Sequence, residues 1–154
     1  MNSYLLVLYE LDECEGLVET ARQIAAADPS AEFVLLTPTT AGPFDLLLVS
    51  GSALHVARHR AETARRGLLA AGLNLTAARM GNFDPFRAVE DATRFSSYAA
   101  VVVAAPPHPV LHLMRLDLCC RLARQFSNTV FIHAMTRGSE STPLQQSDLR
   151  SAEH

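Results

Sequence analysis

The chain contains no lysine: all 13 basic residues among its 154 are arginine. A P-loop lysine and a Schiff-base lysine are therefore excluded. Glycine is also scarce, with 7 in the whole chain and none between Gly81 and Gly138, so no glycine-rich phosphate cradle can form in that stretch. The 3 cysteines include the adjacent pair Cys119-Cys120, and such a set makes neither a disulfide framework nor a spaced metal-ligand group. Buried thiols are the expectation. The arginines form no basic run and the net charge is −3, so nucleic acid is not an expected partner. The opening residues Met1-Asn2-Ser3-Tyr4 carry no cationic side chain, and their apolar run stops at Tyr9 before an acidic patch. That is too short for a signal peptide or a membrane span, so a cytoplasmic location without a membrane partner is expected.

What is present is apolar. Hydrophobic residues make up 49% of the chain and mean hydropathy is +0.12, which is high for a soluble monomer and points to a subunit interface. Five short apolar runs read as strands: Tyr4 to Tyr9, Phe33 to Thr37, Leu75 to Met80, Ala99 to Ala104 and Thr129 to His133. Four amphipathic stretches alternate with them, at about Leu17 to Ala27, Leu54 to Ala71, Pro85 to Phe95 and Val110 to Phe126. Asp84 reads as the N-cap of the third, with Pro85 at its first position, and Gly72 reads as the residue that ends the second. Alternation of this kind demands a parallel sheet covered on both faces, a three-layer α/β/α domain. Right-handed crossovers leave two common strand orders, 3-2-1-4-5 and 2-1-3-4-5. Residues 38–53 have no legible element. The domain is expected to span 1–136, followed by a polar tail at 137–154 that is expected to be disordered.

In such folds ligands sit at the carboxyl ends of the strands. The turn after the Ala99 to Ala104 strand, Ala105-Pro106-Pro107-His108-Pro109, holds three prolines, and proline has no N–H to offer an anion.

Several stretches resemble the universal stress proteins. Ala70-Ala71-Gly72-Leu73-Asn74-Leu75 followed by Met80-Gly81-Asn82-Phe83-Asp84-Pro85-Phe86-Arg87-Ala88-Val89 is similar to that family's "G-V-x-V…G-D-P-x-x-A-I" passage. The Ala99 to Ala104 strand and the segment Cys120 to His133 are similar to its fourth strand, last helix and fifth strand. The resemblance covers most of residues 4–134. It implies the order 3-2-1-4-5, an adenine-nucleotide-alpha-hydrolase-like architecture and a homodimer joined through the last strand, with Val130, Phe131, Ile132 and His133 at the seam. An apolar edge strand needs cover, and pairing with its twin supplies it. The family's nucleotide-binding members carry an acid after the first strand, for which the counterpart is Glu10 or Asp12, and G-x2-G-x9-G-[ST] after the fourth, which has no counterpart here. The implied function is a non-catalytic binding or regulatory module that does not hold ATP in the family manner. No cofactor is expected; the alternative is ATP or AMP in an altered phosphate site.

With that strand order, the loops after the first and fourth strands converge. They would bring Glu10, Asp12 and Cys14 beside Ala105, Pro106 and His108, a mouth for a small ligand or a regulatory protein. Cys14 and His108 could form a nucleophilic pair, but the neighbouring acids raise the thiol's pKa, so no catalytic residue is assigned. His55, His59 and Glu62 are spaced along one helix and His108 and His112 repeat the four-residue step, yet H-E-x-x-H is absent. A solvated helix face is the better reading, and no metal is expected.

Overall fold

The computed structural model describes residues 1–9, 14–38, 52–81, 84–104, 118–126 and 130–134. Five strands form one parallel sheet: β1 (Ser3–Leu8), β2 (Glu32–Pro38), β3 (Leu75–Gly81), β4 (Ala100–Ala104) and β5 (Val130–Ala134). Of the two strand orders that the pattern allows, the sheet has β3-β2-β1-β4-β5. Among the described residues the helices are α1 (Glu15–Ala27), α2 (Ser52–Ala70), α3 (Pro85–Phe95) and α4 (Leu118–Gln125).

The central strands are apolar on both faces because each face has its own helix layer. Leu5, Val7, Val34, Leu36, Val101 and Val103 pack with Ala88 and Val89 of α3 and Leu122 of α4. Leu6, Leu8, Phe33, Leu35, Val102 and Ala104 face the other way, onto Leu17 and Ala21 of α1 and Ala64 and Leu68 of α2. Each such side chain removed from water is worth roughly 1.5–3 kcal/mol, so the sheet is held mainly by these two apolar layers. Polar and exposed positions concentrate on β3, where Thr76, Ala78, Arg79 and Met80 face outward. That is the pattern of an edge strand.

The helix ends follow local chemistry. Asp84 caps α3, its Oδ1 accepting the Phe86 N–H at 3.0 Å, with Pro85 at the first position. Gly72 ends α2 with φ at 75°. Its N–H donates to the Leu69 carbonyl at 3.0 Å and that of Leu73 to the Leu68 carbonyl at 3.2 Å, the paired bonds of a Schellman motif. Helix α1 begins at Glu15, earlier than the expected Leu17, because the Cys14 carbonyl already accepts the Val18 N–H at 2.9 Å. It stops at Asp28, which is extended at φ −131° as the residue before a proline tends to be. The expected last helix, Val110 to Phe126, is described only from Leu118 onward. The expected tail at 137–154 lies outside the described residues, as do the unassigned positions 39–51.

Candidate functional site

The candidate site is built on the carboxyl ends of β1 and β4. These strands are neighbours whose chains continue to opposite sides of the sheet, β1 toward β2 and β4 toward β5. At such a point the following loops part and leave a crevice. The register runs from Tyr4 opposite Ala100 to Leu8 opposite Ala104, and one further bond, Tyr9 N–H to the Ala104 carbonyl at 2.9 Å, carries the pairing to the rim. The two loops therefore leave from adjacent points. Their residues Glu10, Asp12, Ala105, Pro106 and His108 lie outside the described residues.

Cys14 is the one expected mouth residue that is described. It occupies the N-cap of α1 without a side-chain cap bond and is half-buried. Its Sγ lies 3.4 Å from where a Cβ on Gly67 of α2 would stand, so the thiol packs between helices. Burial pushes its pKa up first of all, its own backbone N–H pulls the other way, and the Glu15 charge raises it further. A thiol in that setting stays protonated and behaves as a small apolar side chain.

Thr37, which the sequence reading treated only as the end of a strand, is at the same edge of the sheet. It sits beside the end of β1, since Leu36 is registered with Val7, and it is 1% exposed. Its Oγ1 has no hydrogen-bond partner among the described residues. The other fully enclosed threonine, Thr20, gives its hydroxyl to the Gly16 carbonyl at 2.9 Å. Thr37 is thus a buried donor and acceptor without a partner among the described residues. The hint in the sequence was a polar residue ending an apolar run just before Pro38.

The other expected residues are spread out. His55 and His59 are exposed on α2, and Glu62 is already committed. Arg65 donates Nε and Nη2 to its two oxygens at 2.9 Å each, and Arg66 Nε donates to Oε1 at 3.0 Å. These bonds, that of Arg65 first, hold the Glu62 carboxyl down to about 2. Among the described residues no group of three or more His, Cys, Asp or Glu could hold a metal ion. At the expected seam, β5 is an edge strand, with Val130 51% exposed and Ile132 half-buried. Phe131 and His133 stand in register with Val101 and Val103. Among the described residues, no helix is long and apolar enough to cross a membrane.

No protein-family model matches the sequence, and no curated protein matches it either. Among solved structures, the chain is similar to a universal stress protein crystallised in complex with cAMP. The two share 17% identity and superpose with a TM-score of 0.61, over 88% of this chain and 97% of that one. A likeness at that identity is one of fold. The chain has a universal-stress-protein-like α/β fold.

Proposed function

We propose that the chain is a universal-stress-protein-like binding module of the adenine-nucleotide-alpha-hydrolase-like class. It works as a homodimer joined through β5 and takes a small ligand or a regulatory partner at the mouth between β1 and β4. The observation that carries this reading is the strand order, which sets the switch point between β1 and β4 with Tyr9 as the last paired residue. The reading assigns the mouth to the chain segments that begin at Glu10 and Ala105, after the paired residues Tyr9 and Ala104. Pro106, Pro107 and Pro109 withhold the main-chain N–H groups that a triphosphate needs, so ATP is not held in the family manner. Catalysis is not assigned: the packed, protonated thiol of Cys14 is a poor nucleophile. The setting is cytoplasmic.

A second reading keeps adenine-nucleotide binding in an altered pose, with Glu10 or Asp12 directed to the ribose or the base. Two observations favour it. The similar structure carries cAMP, a ligand with far less phosphate charge to satisfy than ATP, and the buried Thr37 hydroxyl at the same edge has no partner among the described residues. Thermal-shift titration of the full chain with ATP, AMP and cAMP, with and without Mg²⁺, separates the readings. A ligand at about 100 times its Kd stabilises by about 2.7 kcal/mol, which is several degrees for a domain of this size. No shift with any of the three supports the first reading. A saturable shift with ATP, AMP or cAMP supports the second and contradicts the first.

A further inference from the structure

At the amino edge of the sheet, opposite the mouth, a cleft of about 450 Å³ lies between the last turns of α3, the connection into β4 and the ring of Phe126 beyond the end of α4. Tyr98 stands just before β4, whose five residues put roughly 16 Å of strand between this cleft and the mouth. Its floor is aromatic. Tyr98 and Phe126 both pack onto the core layer that α3 and α4 cover. Phe126 is braced by the Phe86 ring at 6.0 Å, and the chain beside Tyr98 is fixed by the Ala99 N–H, which donates to the Ser3 carbonyl at 2.8 Å.

The wall of the cleft is charged. Glu90, Thr93 and Arg94 follow the three- and four-residue steps that put them on one face of α3, and all three line the cleft. The Thr93 hydroxyl is taken up by the Val89 and Glu90 carbonyls, at 2.9 and 3.1 Å. Glu90 is half-buried and Arg94 exposed. Among the described residues the carboxylate and the guanidinium pair neither with each other nor with any other charge. The cleft thus sets one side chain of each sign, a helical turn apart, beside two aromatic rings. That combination suits a molecule with an ammonium and a carboxylate close together on an apolar body, and the volume is within the range of small-ligand sites, about 300–1,000 Å³.

We propose that this cleft binds a free α-amino acid with an aromatic side chain. Glu90 takes its ammonium and Arg94 its carboxylate through charge-assisted hydrogen bonds, and its ring lies against Tyr98 and Phe126, where ring–ring contact adds to apolar burial. The site is independent of the mouth and of what binds there.

Calorimetric titration of the full chain with L-phenylalanine, phenethylamine and 3-phenylpropanoate tests it. The second ligand lacks the carboxylate and the third lacks the ammonium. L-Phenylalanine is expected to saturate and to bind at least about tenfold tighter than either, the contribution of one charged hydrogen-bonding partner. Arg94→Gln is expected to remove its advantage over phenethylamine and keep that over 3-phenylpropanoate; Glu90→Gln is expected to do the reverse. Arg22→Gln, on α1 and outside the cleft, changes neither. Neither cleft charge has an ion-pair partner, so the variants keep the wild-type melting temperature, which is measured in parallel. Absence of saturation, equal affinity for the three ligands, or indifference to both cleft substitutions each overturns the proposal. None of these outcomes depends on whether a nucleotide shifts the melting temperature.

Discussion

Replacing Thr37 by Val should make the ligand-free protein more stable. The Oγ1 of Thr37 is enclosed at 1% exposure and without a hydrogen-bond partner among the described residues. A hydroxyl buried in that state costs about 1–3 kcal/mol relative to one that is paired or solvated. Valine has almost the same shape, keeps the branched β-carbon that suits a strand, and replaces the hydroxyl with a methyl group. The expected gain is about 1–2 kcal/mol, equivalent to a rise in Tm of roughly 2–8 °C for a chain of this length. Equilibrium unfolding in urea reads the difference directly, as a higher midpoint at unchanged slope. A loss of about 1 kcal/mol or more would show that the hydroxyl has a partner in the folded protein, and would remove Thr37 from consideration as a ligand contact.

Two glycines should respond to alanine with opposite signs. At Gly81 a Cβ would stand 2.7 Å from that of Ala88 and 3.0 Å from Leu36 Cδ1, so Gly81→Ala should lower stability by about 1–3 kcal/mol through overpacking. At Gly67, inside α2, the nearest atoms are at 3.4 and 3.5 Å, and Gly67→Ala should raise stability by up to about 1 kcal/mol through helix propensity; urea midpoints check both. Asp84→Ala removes the side-chain acceptor for the Phe86 N–H and should cost about 1 kcal/mol, read in the same assay. Glu62 titrates at about 2 against an ordinary 4.5, so its stabilising effect is complete above pH 4.5 and is lost as pH falls toward 2. Glu62→Gln should therefore flatten the acid limb of a stability profile within that window while leaving its shape above pH 5 unaltered.

The central strands were legible because their apolar runs are buried on two faces. Leu5 to Leu8 and Val101 to Val103 alternate between the two cores with hardly an exposed atom. The helix ends at Asp84 and Gly72 were equally plain, since each depends on one side chain, or the lack of one, acting within a few residues. Strand order was not legible from the pattern, because the same alternation of strands and helices satisfies two windings; the choice came through resemblance and is seen in the pairing of β1 with both β2 and β4. The Thr37 hydroxyl, without a partner among the described residues, was missed for a different reason. Whether a buried hydroxyl has a partner depends on residues distant in the sequence, and no local signal records that. The sequence reading raised the Cys14 pKa through neighbouring acids. The main cause is burial against α2, with Glu15 adding to it.

The most direct measurement is the affinity of ATP relative to adenosine, by calorimetry on the full chain. Pro106, Pro107 and Pro109 have no N–H to donate, so on the proposed reading ATP should bind no more than about threefold tighter than adenosine, if either binds. An ATP preference of about a hundredfold or more would mean that the mouth grips the triphosphate after all.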